Sequence, residues 1–217
     1  MRWEQLGAIS LLTDTNCTVQ TDALLLARFS APKSAERVCD LGTGCGVMPA
    51  VWLNDPGFYG VVTGVERNAE AVAICRQTIE KNRLGSRFVL LEQDWNTLEK
   101  RTFDRVVCNP PYFAVDSGMS NLDKLRNEAR HEDDQHPLES VLRVASKLLQ
   151  PGGRFALCHK PERLCEVLEG MRAVGLEPKR LQMVQHSTQT PPWLFLCEAR
   201  KGGRPGLSVL QTLITND

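Results

Sequence analysis

The sequence predicts an α/β chain built on a doubly wound, mostly parallel sheet with one strand reversed near its C-terminal end. Three observations carry this. From residue 36 onward, short β-branched or apolar runs alternate with longer segments of helical period. Several of those runs end in glycines, acids or an amide rather than in apolar residues. Between the last two runs lies only "STQTP", too short for a crossover helix, so those two strands must pair antiparallel as a hairpin.

The elements follow in order. "ERVCDLG" (36–42) reads as a buried strand closed by a glycine turn, and "VMPAVWLN" (47–54) as a helix that tolerates Pro49 in its first turn. "YGVVTGVE" (59–66) is the second strand. "NAEAVAICRQTIEKNRLG" (68–85) is a helix with Asn68 as N-cap and Gly85 as its stop. "RFVLLEQD" (87–94) and "FDRVVCN" (103–109) are strands three and four. "HPLESVLRVASKLLQPGG" (136–153) is a helix ended by Pro-Gly-Gly, "RFALCHK" (154–160) the fifth strand, and "PERLCEVLEGMRAVG" (161–175) the next helix. "KRLQMVQH" (179–186) and "PWLFLCEAR" (192–200) complete a seven-stranded sheet. One domain spans 1–217: an N-terminal extension with a helix (1–35), the core sheet (36–200) and a tail (201–217). Right-handed crossovers place helices on both faces of such a sheet. The long stretch 113–136 has no periodicity and is rich in charge, which marks it as functional or disordered.

Composition sets bounds. With 217 residues, 42% of them apolar, the chain fills one compact core. Lys+Arg and Asp+Glu are both 26, so no basic excess argues for nucleic acid, although a local basic face remains open. No stretch approaches the roughly 18 apolar residues of a membrane span. "MRWEQLGAISLL" carries Glu4 and is too interrupted for a signal peptide, which points to the cytoplasm. The eight cysteines form no C-x-x-C, and Cys39 and Cys108 lie inside strand runs, so they read as reduced buried thiols with no metal site.

In open α/β sheets ligands bind beyond the carboxyl ends of the strands, so the polar residues there form one candidate site. Strand one ends in "DLGTGCG" (40–46), where Gly42 and Gly44 permit a tight turn and close approach of backbone to ligand. Asp40 would repel a pyrophosphate and hold a cationic amino-acid end. Strand two ends at Glu66, an acceptor for ribose hydroxyls. Strand three ends in Asp94-Trp95, where the carboxylate either accepts from an adenine amino group or caps a turn, and the indole covers the ring.

Strand four runs into Asn109-Pro110-Pro111-Tyr112. The prolines cannot donate to a ladder and stiffen the segment. The Asn109 side-chain oxygen and the Pro110 carbonyl are two rigid acceptors for the hydrogens of a planar amine, whose delocalised lone pair makes it a poor nucleophile. Held by both, the nitrogen lines up with an electrophilic methyl. Tyr112 offers a stacking face, worth about 1–3 kcal/mol for a base.

Together "DLGTGCG", Glu66, "QDW" and "NPPY" resemble the class I S-adenosylmethionine-dependent methyltransferases, whose fold is Rossmann-like. The resemblance implies S-adenosylmethionine as cofactor, bound by Asp40, Gly42, Gly44, Glu66, Asp94, Trp95 and Asn109, and methylation of adenine N6, cytosine N4 or a glutamine amide. "TVQTDALLLARF" (18–29), "EARHE" (128–132) and "GGRFALCHKPERLCEVL" (152–168) are similar to the bacterial valine-tRNA adenine-37 N6-methyltransferases, which implies tRNA as substrate. The family leads one to expect an excess of positive charge and an aromatic C-terminal end, whereas this chain is neutral and ends in "LSVLQTLITND". For phosphate contact the best candidates are Lys201 and Arg204 in "ARKGGRPG" (199–206), within a stretch holding five cations and the single acid Glu198. Arg130-His131 either orients a substrate or sits on a helix surface. The competing readings are a protein glutamine methyltransferase and a nucleotide- or NAD-binding dehydrogenase-like protein. The first usually carries a separate N-terminal helical domain, and the roughly 35 residues before strand one argue against it. The second is opposed by Asp40 and by the lack of any hydride-transfer constellation beside Asn109.

Overall fold

The computed structural model describes residues 1–99, 102–110 and 137–215. Strands β1 (Arg2–Leu6) and β2 (Ile9–Thr13) form an antiparallel hairpin outside the main sheet. Helix α1 (Thr21–Phe29) follows, then β3 (Arg37–Leu41), α2 (Val47–Leu53), β4 (Val61–Glu66), α3 (Ala69–Lys81), β5 (Phe88–Glu92) and β6 (Phe103–Cys108). The second half runs α4 (Pro137–Leu148), β7 (Leu149–His159), α5 (Leu164–Ala173), β8 (Leu176–Gln185) and β9 (Leu194–Lys201). Two-residue strands β10 (Ser208–Val209) and β11 (Leu213–Ile214) end the chain.

The main sheet runs β10-β8-β9-β7-β6-β3-β4-β5, with β11 also on β8. Its seven long strands are those read from the sequence, and β9 is antiparallel to both β7 and β8. The strand order reverses between β3 and β6, which places the ligand crevice at their carboxyl ends. The tail adds the two short strands along the outer edge of β8, covering backbone that would otherwise stand open.

Both faces of the sheet are covered. On one, Leu26, Trp52 and Ile74 from the first three helices pack with Leu11 and Phe58. On the other, Val141, Leu142 and Met171 pack on Phe155 and Phe195. No disulfide joins the eight cysteines.

Three differences from the sequence reading have physical causes. The N-terminal hairpin was not expected. It turns at Gly7, whose φ of +61° suits glycine, and it is clamped by helix-ending asparagines: Asn54 Oδ1 accepts from Ala8 N at 2.6 Å, and Asn82 Oδ1 from Ser10 N at 2.9 Å. Asn82 also donates to the Thr78 and Ser10 carbonyls, so α3 ends at Lys81 rather than running to Gly85. The opposite end of α3 is as expected, with Asn68 Oδ1 accepting from the amides of Glu70 and Ala71. Finally α4 stops at Leu148. The "QPGG" that was expected to end the helix lies in β7 as an irregularity, with Gly152 at φ +79° and the pairing shifting register between Phe103 and Arg105.

At the amino end of the sheet lies a buried ion cluster. Glu198 accepts from Arg105 Nη1 at 2.9 Å and Arg154 Nη1 at 2.5 Å, with Arg180 Nη1 at 3.5 Å, and Arg105 also holds Glu36 at 2.9 Å.

Candidate active site

The turn after β3 is set by backbone geometry. Gly42, Gly44 and Gly46 all have left-handed φ values of +74°, +55° and +88°. The amides of Gly42 and Thr43 donate to the Val65 carbonyl at 2.9 and 3.1 Å, folding the loop over the end of β4. A Cβ on Gly42 would stand 3.4 Å from the Trp95 ring, so the indole lies against bare backbone.

A cavity of about 530 Å³ opens at the carboxyl ends of β3–β6, a size suited to a cofactor. Gly42, Glu66, Asp94, Trp95, Asn109 and Pro110 all line it, so the structure brings together residues from four strand ends. Glu66 accepts from Gly44 N at 3.0 Å through Oε2 and from Asn68 N at 2.8 Å through Oε1, so each oxygen retains acceptor capacity. Asp94 caps a turn and also lines the cavity. Its Oδ1 caps the turn at Trp95–Thr97 by accepting from Asn96 N at 2.7 Å, while its carboxyl group lines the cavity beside Arg67 Nη1 at 3.3 Å. Trp95 Nε1 donates to Ser140 Oγ at 3.1 Å, which fixes the ring. Asn109 is half-buried, and its Oδ1 accepts from the Cys158 thiol at 3.1 Å, a weak donor that a stronger one displaces.

Other expected residues fall elsewhere. Asp40 and Gly44 sit behind the cavity wall rather than on it. Asp40 is fully buried: Oδ2 accepts from Thr43 Oγ1 at 2.8 Å and Oδ1 has no partner among the described residues. Burial, with a smaller contribution from the Glu66 charge, pushes its carboxyl up to about 7 against the opposing Thr43 hydrogen bond. Lys201 and Arg204 are not brought to the cavity at all. Because β9 runs antiparallel, Lys201 pairs with Leu176 at the start of β8, at the amino end of the sheet. Its ammonium donates to the carbonyls of Ser146 and Leu149 at the C-terminal end of α4, at 2.5 and 2.8 Å. Pro111, Tyr112, Arg130, His131 and the whole 113–136 stretch lie outside the described residues.

The sequence reading missed one wall. Asn16, Gln20 and Asp22 line the cavity from the N-terminal segment, together with Arg67 and Gln93. Asp22 is 7% exposed, and its Oδ1 accepts from Ala23 N at 2.6 Å in the first turn of α1. A signal was present, since an acid at the start of a helix directly before the glycine strand invites a role beyond the dipole.

The residues present fit S-adenosylmethionine. Among the described residues the cavity carries three carboxylates (Asp22, Glu66 and Asp94) against one cation, Arg67. The uncompensated Asp40 stands behind them, and a sulfonium with an ammonium answers that field. Glu66 has acceptor capacity for ribose hydroxyls, and Trp95 with Asp94 suits a purine.

Fold and site together define an S-adenosylmethionine-dependent N-methyltransferase. The chain belongs to the Methyltransferase small domain family, whose profile covers residues 19–173. It is 30% identical over 183 residues to a tRNA1(Val) (adenine(37)-N6)-methyltransferase of Parabacteroides distasonis, covering 83% of this chain and 75% of the relative. A Porphyromonas gingivalis protein of the same name is 30% identical over 201 residues, covering 87% and 77%. Among solved structures, a predicted O-methyltransferase from Agrobacterium tumefaciens superposes with a TM-score of 0.70 at 25% identity, over 89% of this chain and 87% of the other. Among the described residues no helix is long and apolar enough to cross a membrane.

Proposed function

We propose that the protein methylates the N6 amine of an adenine in tRNA, and that the target is adenine 37 of a valine tRNA. The observation that carries this reading is that Asn109-Pro110, a stiff pair of acceptors ending β6, opens into the same cavity as Glu66, Asp94 and Trp95. The names of the relatives support the choice of tRNA.

Bound S-adenosylmethionine supplies an electrophilic methyl carbon. Glu66 would accept from the ribose hydroxyls, Trp95 would cover the purine and Asp94 would accept from its amino group. Asn109 Oδ1 replaces the Cys158 thiol with one hydrogen of the target amine, and the Pro110 carbonyl takes the other. The two acceptors favour the more tetrahedral nitrogen of the transition state. No general base is required before transfer, because the alkylated nitrogen is a strong acid that gives its proton to water.

The test is transfer of labelled methyl to total tRNA, followed by nucleoside analysis. The expected product is N6-methyladenosine at the position 3′ of the valine anticodon. Label absent from tRNA but present in a glutamine-containing peptide would replace this reading with the protein-substrate one.

A further inference from the structure

A second cavity, of about 780 Å³, lies at the amino end of the sheet, where β7, β8 and β9 meet the end of α5. Among the described residues its lining carries Lys179, Arg200, Lys201 and Arg204 and no carboxylate. In a chain with equal numbers of cations and anions, this concentration is a local choice. Four like charges in one groove repel one another, and they persist where an anion repays that cost.

The cations are held in place rather than neutralised. Lys201 is anchored on two carbonyls at the end of α4, and Lys179 Nζ donates to the Arg204 carbonyl at 2.9 Å. Arg200 Nε donates to the Gly152 carbonyl at 3.2 Å, leaving its Nη atoms for other acceptors. The Arg204 guanidinium has no partner among the described residues. Glu177, the cross-strand partner of Arg200, pairs with Arg172 at 3.3 Å and does not line the groove. Glycines at 152, 175 and 202, all with left-handed φ, keep the floor free of side chains.

We infer that this groove binds phosphates of an RNA backbone at a distance from the target base. The inference rests on the tRNA reading of the cavity above. From Lys179 in the groove to Gln185 at the end of β8 are six residue steps, about 20 Å at ~3.3 Å per residue, and this separates the groove from the carboxyl end of that strand. A short loop presented to Asn109 does not reach that far, whereas a whole tRNA does. The groove thereby selects for an extended substrate over an isolated loop.

The test compares two substrates in wild type and in an Arg200→Gln/Arg204→Gln variant, neither residue touching the catalytic cavity. With full-length tRNA the variant should show KM raised about tenfold, kcat within about twofold, and a salt slope shallower by ~1–2. With an anticodon stem-loop the two proteins should have the same KM. Arg200→Lys/Arg204→Lys should restore most of the lost affinity. Unchanged KM for tRNA, or equal loss on both substrates, overturns the inference. If wild type methylates no RNA, it is the tRNA reading that fails. Anisotropy with a labelled RNA duplex then decides the groove: binding lost in the variant supports it, equal binding removes it. Displacement of that duplex by millimolar inorganic phosphate at constant ionic strength would assign the groove to free phosphate and overturn the RNA inference.

Discussion

The two ends of the sheet each bury a carboxylate, and they treat it in opposite ways. At the amino end Glu198, 1% exposed, is met by Arg105, Arg154 and Arg180. At the carboxyl end Asp40, fully buried, has one hydroxyl and an oxygen with no partner among the described residues. Burial is the same and compensation is not. An acid satisfied by guanidinium forks fixes the packing of four strands. An acid left short of partners behind a cavity raises its own pKa and projects a field that a cation can answer. The difference separates the end of the molecule that holds the fold from the end that binds and reacts.

The contrast can be broken most severely at Glu198. Glu198→Ala removes one of two acids that hold Arg105, which is 3% exposed, and leaves Glu36 to pair with it, so it should cost about 3 kcal/mol in urea unfolding. A loss below about 1 kcal/mol would mean that water already solvates the cluster. At the other end Asn109→Ala should leave unfolding unchanged and cofactor affinity within a few-fold, yet lower turnover by about 10²–10³. Near-normal single-turnover rates would take the amine away from Asn109.

Glu66→Ala should weaken cofactor binding by roughly 1–3 kcal/mol in calorimetry, through lost ribose hydrogen bonds and a loosened glycine loop. Unchanged affinity in a folded protein removes Glu66 from the site. The subtlest expectation concerns Asp40 itself. Its folded pKa lies above its unfolded value, so it contributes stability below about pH 4 that is lost as pH rises towards about 7. Ligand-free wild type should therefore lose stability across that window, Asp40→Asn should lack the decline, and cofactor should reduce it. A wild-type decline that survives in Asp40→Asn belongs to another group.

Much of the site was legible because a parallel α/β sheet converts sequence into position. Whatever follows a parallel strand lands at the same end, so Gly42, Glu66, Asp94 and Asn109 could be gathered without knowing any distance. Asn68 was equally plain, since an N-cap is satisfied within three residues of its own chain. What local pattern does not encode is which side chain finds a partner far along the chain. The β1–β2 hairpin exists because Asn54 and Asn82 reach it from two helix ends, across 46 and 72 residues. Asp22 faces the cavity because α1 is packed there by contacts such as Trp52 Nε1 to the Ala27 carbonyl. Lys201 and Arg204 show the boundary most clearly. Their charge was read from the sequence, and so was the reversal of β9, but only the assembled sheet applied the second fact to the first. Antiparallel pairing carries the end of that strand to the opposite edge, where its lysine closes a helix and its arginines line a second groove.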